Sequence, residues 1–102
     1  MNKYRNRATT IDNHRFASLR EAARYRELAL LLAAGEIRNL ELQVRFPLLV
    51  NGVKICTYIA DFCYFSKDGK YTVEDSKGYA TPLYKLKRRL MAACHNIDVE
   101  EV

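Results

Sequence analysis

Hydrophobic residues recur along this chain with two periods, and the change from one to the other lays out the elements. Leu19, Ala22, Tyr25, Ala29 and Leu32 return three and four residues apart, the spacing that gathers side chains on one face of a helix. Ser18-Leu19-Arg20-Glu21 ahead of them has the form of a capping box, in which a hydroxyl and an acid three residues on satisfy N–H groups that a first turn leaves open. Gly35 is a natural stop. The period then drops to two. Leu40, Leu42, Val44 and Phe46 alternate with Glu41, Gln43 and Arg45, the signature of a half-buried strand. Pro47, with no N–H to give, limits how far that strand pairs centrally.

Asn51-Gly52 is a strong hairpin turn signal. Behind it, Lys54 to Phe65 is rich in β-branched and aromatic residues and reads as a second strand. Lys67-Asp68-Gly69-Lys70 makes another turn, and Tyr71 to Lys77 a third strand. Thr81-Pro82 sets a capping residue before a proline at the first helical position. The helix that follows is expected to bury Leu83, Leu86, Leu90 and Cys94, and Ile97 to Val102 to add a short last strand. The expected architecture is α/β: a helix, a three-strand meander, a helix and a strand, with a mixed central sheet. Residues 1–15, polar and without periodicity, read as a flexible basic arm, and 16–102 as a single domain.

At 102 residues the chain is long enough for one core. Its longest apolar run, Leu28 to Ala34, is far shorter than the roughly 20 residues of a membrane span, and Met1-Asn2-Lys3-Tyr4-Arg5 lacks the apolar stretch of a secretory signal. Cys56, Cys63 and Cys94 are odd in number and form no C-x-x-C pair, so reduced thiols in a cytoplasmic protein are expected rather than zinc or a disulfide frame. The formal charge of +5 favours a polyanionic partner. Positive charge collects in Lys3, Arg5, Arg7, Arg15, Arg20 and Arg24, and again in Lys85, Lys87, Arg88 and Arg89, with no acid between Lys77 and His95. Such faces suit phosphates, although a solvated helix face looks the same. Tyr71, Tyr79 and Tyr84 flank the same region, for packing or for contact with sugars and bases.

The candidate chemistry lies in the meander. Asp75 and Lys77 share one face of their strand because side chains alternate with period two. Asp61 and Asp75 are nearly equidistant from the Asp68-Gly69 turn, so they face each other across the ladder. Asp61 is expected to share its face with Ile59 and Cys63. Two opposed carboxylates repel, and a divalent cation removes that penalty. Lys77 can then orient or deprotonate an attacking water, the parts of metal-assisted phosphodiester hydrolysis. The plainer reading makes Asp61 the cap of a bulge, and Asp75 with Lys77 an exposed ion pair. Glu74 points to the opposite face from Asp75. For Glu21, periodicity favours the capping role over that of a third ligand, although it lies on a stripe with Tyr25, Leu28 and Leu32. Gln43 stands at the rim.

Together, the order of elements and these residues resemble the PD-(D/E)XK nuclease superfamily. More closely, they resemble a phage-encoded family of nucleases likened to Holliday junction resolvases. The segments that carry the likeness are Lys3-Tyr4-Arg5-Asn6, Phe16-Ala17-Ser18-Leu19-Arg20-Glu21, Leu40-Glu41-Leu42-Gln43, Tyr58-Ile59-Ala60-Asp61-Phe62, Val73-Glu74-Asp75-Ser76-Lys77-Gly78 and Lys85-Leu86-Lys87. The proline that usually precedes the first acid is Ala60 here. The resemblance implies a restriction-endonuclease-like core with Asp61 and Asp75 as metal carboxylates, Lys77 as the catalytic lysine and Glu21 as the helix acid completing the site. The Ser76 backbone carbonyl would be a further ligand. It implies Mg²⁺ or Mn²⁺ and hydrolysis of branched DNA such as a Holliday junction to 5′-phosphate and 3′-hydroxyl ends. Arg5, Arg7, Arg15, Gln43, Lys85, Arg88 and Arg89 would touch DNA. A homodimer is expected, since two strands of a junction must be cut, in a phage or prophage protein of the bacterial cytoplasm. The rival class is a non-catalytic nucleic-acid binding module that keeps fold and charge.

Overall fold

The computed structural model describes residues 8–76 and 79–102, and the expectations for Arg5, Arg7 and Lys77 lie outside them. The elements run β1 (Thr9–Ile11), β2 (His14–Phe16), α1 (Leu19–Ala33), β3 (Ile37–Val50), β4 (Val53–Ser66), β5 (Tyr71–Asp75), α2 (Pro82–His95) and β6 (Glu100–Glu101). Strands β3, β4 and β5 form an antiparallel meander, and β6 pairs parallel to β5, closing a mixed four-stranded sheet in the order β3-β4-β5-β6. From α1 onward, this mixed α/β architecture follows the order of elements that the hydrophobic periods predict. Among the described residues no helix is long and apolar enough to cross a membrane.

The local signals act where they stand in the sequence. The Ser18 hydroxyl accepts from the Glu21 N–H at 3.1 Å, and Thr81 caps α2 by accepting from Tyr84 N–H at 3.1 Å. Asn51 and Gly52 take φ of 51° and 80°, the double left-handed turn that matches the twist of a two-residue hairpin. Asn96 ends α2 with φ of 56°.

The elements depart from expectation at two places. The described part of the supposed flexible arm, from Thr9 onward, is a hairpin, β1 against β2, turning at Asp12 and Asn13 with φ of 52° and 67°. Phe16 from this hairpin is buried with Ala22, Tyr25 and Leu28 of α1, and Tyr25 donates its hydroxyl to Asp12 at 2.9 Å. Ile11 packs against the same cluster, so the hairpin is tied to α1 at several points. In α2 the buried face is Tyr84 and Met91, with Leu90 packed partly buried against the same core, whereas the predicted Leu83 and Leu86 lie outside it. Leu83 is 59% exposed and Leu86 50%, while Met91 is fully buried. Both stripes have helical spacing, and only the angle at which the helix lands on the sheet separates them.

The core has two halves on opposite faces of the sheet. Under α1 lie Phe16, Ala22, Tyr25, Leu28, Ile37, Phe62 and Tyr64. Under α2 lie Leu48, Tyr58, Ala60, Cys63, Val73, Tyr84, Met91 and Val99. Strand β3 serves both. Leu40 and Leu42 pack on the α1 half, whereas Val44 and Phe46 pack on the α2 half. All four have even numbers, so an unbroken pleat would keep them on one face. The break is Gln43, whose φ of 54° turns the backbone over between Leu42 and Val44. Strand β4 changes face opposite the same point, with Tyr58 and Ala60 on the α2 side and Phe62 on the α1 side. Asp61 therefore sits at the crossover and not in regular alternation with Ile59 and Cys63. This corrects the face assigned from sequence.

Candidate functional site

Between the ladder pairs Leu42↔Phe62 and Val44↔Ala60 stand Gln43 and Asp61. A left-handed residue that is not glycine stores about 1–3 kcal/mol and persists only where its surroundings hold it. Here they do. The Gln43 side-chain amide donates to Glu21 Oε2 at 3.1 Å and lies 3.4 Å from Asp61 Oδ1. The capping question for Glu21 thus has a double answer. Its backbone N–H takes the Ser18 hydroxyl, while its carboxylate, on a residue only 8% exposed, accepts from Gln43.

Asp75 comes from the next strand. The pairing of β4 with β5 runs to Phe62↔Glu74, and one step further brings Asp75 level with Asp61. Asp75 is fully buried, and its carboxylate stands next to that of Asp61. The Tyr58 hydroxyl donates to Asp75 Oδ2, and the Ser76 backbone N–H donates to Asp61 Oδ2 at 2.8 Å. Burial first, then the hydrogen bond and negative charge of Asp75, push the Asp61 carboxyl up to about 8; the Ser76 N–H pulls the other way, and the charge of Glu21 adds to the rise. The Asp61 carboxyl therefore keeps its proton further up the pH scale than an ordinary aspartate, as a close like charge in a shielded place requires. Burial and the bond to Asp75 in turn push the Tyr58 hydroxyl well above the usual tyrosine value.

Glu74 is settled by what it touches. Arg24 of α1 reaches it through Nε at 2.9 Å and Nη2 at 2.7 Å, and the Tyr64 hydroxyl donates to the same carboxylate. The hydrogen bond to Glu74 is the first cause that lifts the Arg24 guanidinium above its ordinary value. Glu74 is thus fully engaged on the α1 side, and Asp75 is the acid that meets Asp61. Arg24 and Tyr64 carry no sequence motif, and Tyr58 entered only as the start of the segment leading to Asp61. The one available signal is that an acid in a strand expected to be buried demands a cation or hydroxyl partner.

The pieces fit a divalent cation as follows. Asp61 and Asp75 converge, and a positive charge between them would offset their repulsion. Ser76, whose carbonyl completes the expected donor set, follows directly. Two carboxylates with water and substrate oxygens are ordinary magnesium ligation. Among the described residues, however, no group of three or more His, Cys, Asp and Glu side chains is gathered so as to hold a metal ion. Glu21 is linked to Asp61 through the Gln43 amide.

Of the expected DNA contacts, Arg15 is exposed on β2. Lys85, Arg88 and Arg89 line a cavity of about 370 Å³ with Ala92, Asp98 and Val99. Arg88 is partly committed there, 3.3 Å from Glu101 and stacked on the Tyr84 ring. Lys87 is spent on the Thr57 carbonyl at 3.1 Å. Tyr84 is buried and Tyr71 packs on Phe65, which leaves Tyr79 as the exposed tyrosine of the three.

Comparison with curated proteins gives no match, and neither does comparison with solved structures. A family model described as protein of unknown function (DUF1064) matches residues 1–100, nearly the whole length, and the chain belongs to that family.

Proposed function

We propose that this protein is a divalent-metal-dependent DNA endonuclease of the PD-(D/E)XK type. The observation that carries the reading is the meeting of Asp61 and Asp75 at the crossover of the sheet, with Glu21 tied in through Gln43. A buried acid pair is expensive to keep for stability alone, because its mutual repulsion forces a proton uptake that hydrophobic residues would not need. A cation site gives it a purpose.

Asp61, Asp75 and the Ser76 carbonyl would hold Mg²⁺ or Mn²⁺, with Glu21 as a further acid alongside. Such an ion polarises a phosphoryl oxygen and eases deprotonation of a bound water. The chain's own groups set the geometry. Ser76 N–H fixes Asp61, the Tyr58 hydroxyl fixes Asp75, and Gln43 ties Glu21 to Asp61. Lys77, next in sequence after Ser76, is assigned to the attacking water. Water oxygen bonds to phosphorus, the bond to the 3′ oxygen breaks, and a proton passes to that oxygen, leaving 5′-phosphate and 3′-hydroxyl ends. Lys85 and Arg89 supply phosphate contacts outside the site. Branched DNA is the substrate class assigned first, cut by a homodimer whose two sites act on two strands.

The test is cleavage of supercoiled plasmid, linear, forked and four-way DNA with Mg²⁺ or Mn²⁺, by the wild type and by Asp61→Asn, Asp75→Asn and Lys77→Ala. Metal-dependent cutting lost in all three variants is the expected result. A second reading, a nucleic-acid binding module without catalysis, is favoured by the lack of a three-donor group among the described residues. DNA binding with no cutting under any metal would establish it instead.

A further inference from the structure

Beside the acid pair, on the α1 side, lies a cavity of about 420 Å³ lined by Arg20, Ala23, Arg24, Arg26, Glu27, Ser76 and Val102. We infer that this cavity binds a phosphate of the substrate strand next to the one that is cut. The inference rests on the endonuclease reading and extends it to a subsite on another face of the molecule from the α2 cations.

Three observations carry it. The first is charge: Arg20 and Arg26 stand in the lining beside Arg24, whose own charge is already met by Glu74 and Glu27. The second is order. Arg20 Nε and Nη2 donate to the Val102 carbonyl oxygen at 3.1 and 2.9 Å, which fixes the side chain and leaves the other N–H groups of its fork for a ligand. Arg24 is fixed too, held on Glu74 and, at 3.2 Å, on Glu27, so it forms a rigid floor. Arginines immobilised before binding lose less freedom when a phosphate arrives. Ala23 between them keeps the space open. The third is position. Ser76 lines this cavity and also gives its N–H to Asp61, so the same residue touches both the candidate catalytic acid and the basic hollow. A strand whose phosphate lies on Asp61 and Asp75 and that runs past Ser76 would bring its neighbouring phosphate toward Arg20 and Arg26.

Arg26 is exposed and Arg20 lies in the first turn of α1, so Arg26→Gln and Arg20→Gln are tested singly and together. Thermal melting checks that each stays folded. Binding of labelled branched DNA is measured by anisotropy without divalent metal, over a range of salt. The double variant should bind roughly tenfold or more weakly, the worth of a charge-assisted hydrogen bond. Its slope of log affinity against log salt should shrink by about 1 for each phosphate that is no longer neutralised. Glu27→Gln should bind more tightly than wild type. Single uncharged methylphosphonates are then placed one step to either side of the cleaved bond. One of the two positions should weaken wild-type binding and leave the double variant unaffected.

If the protein cuts DNA yet the arginine variants match wild type in affinity, salt slope and methylphosphonate response, the subsite is refuted while the endonuclease stands. If DNA is bound but never cut, or not bound at all, the endonuclease reading falls and the placement of this phosphate falls with it.

Discussion

Replacing Asp61 by asparagine should make the metal-free protein more stable in alkaline solution, and the reason lies in the acid pair. The Asp61 carboxyl is pushed up to about 8 by burial and by Asp75. A carboxyl with a raised value in the folded state holds its proton there while the unfolded chain has released it. Stability therefore falls as pH rises from the ordinary aspartate range to about 8 and is flat above. Each pH unit in that window costs at most about 1.4 kcal/mol. Between pH 5 and pH 8 the unscreened loss is about 4 kcal/mol, and partial solvent access at a half-buried side chain reduces this to about 1–2 kcal/mol. Asparagine keeps an oxygen for the Ser76 N–H and an N–H for Asp75, but does not ionise.

The assay is urea denaturation of wild type and Asp61→Asn at pH 5, 6.5 and 8.5 in chelator, repeated with Mg²⁺. The variant should gain on the wild type by about 1–2 kcal/mol from the lowest to the highest pH. For a domain of this size that corresponds to roughly 4–15 °C in melting temperature. Magnesium at 100 times its dissociation constant should add about 2.7 kcal/mol to the wild type and much less to the variant. Parallel pH profiles for the two proteins would refute the reasoning, because they would mean that Asp61 carries no raised value.

Other expectations follow from single contacts. Arg24→Ala leaves the Glu74 carboxylate buried on the Tyr64 hydroxyl alone and should cost about 2–4 kcal/mol, whereas Glu74→Gln in the same background should recover part of it in a double-mutant cycle. Gln43→Val puts a β-branched residue at a φ of 54° and should destabilise by more than about 1 kcal/mol; Gln43→Gly should stay folded while losing any metal-dependent cleavage. Glu21→Gln should leave α1 intact by circular dichroism, since the cap uses the Glu21 backbone N–H, and should still lower cleavage. Met91→Ala should cost about 2–5 kcal/mol in thermal or urea melts, and Leu83→Ala less than about 1 kcal/mol, reversing the order that the leucine stripe suggests.

Period, caps and turns were legible in the chain because they depend on neighbours a few residues away. Ser18, Thr81-Pro82 and Asn51-Gly52 each act through a backbone group within three positions, and the elements begin and turn where they stand. The opposition of Asp61 and Asp75 was legible for the same reason: one tight turn joins their strands and counts out their register. Tertiary structure alone decided which face each stripe meets. Leu83 with Leu86 and Tyr84 with Met91 both fit a helical period, and only docking chooses between them. The reversal at Gln43 was invisible too, since a left-handed residue leaves the alternation of apolar letters unchanged while turning the side chains over. Arg24 lies fifty residues from Glu74 and Tyr58 seventeen from Asp75. No local rule joins groups so far apart; they meet because two helices cover opposite faces of one twisted sheet.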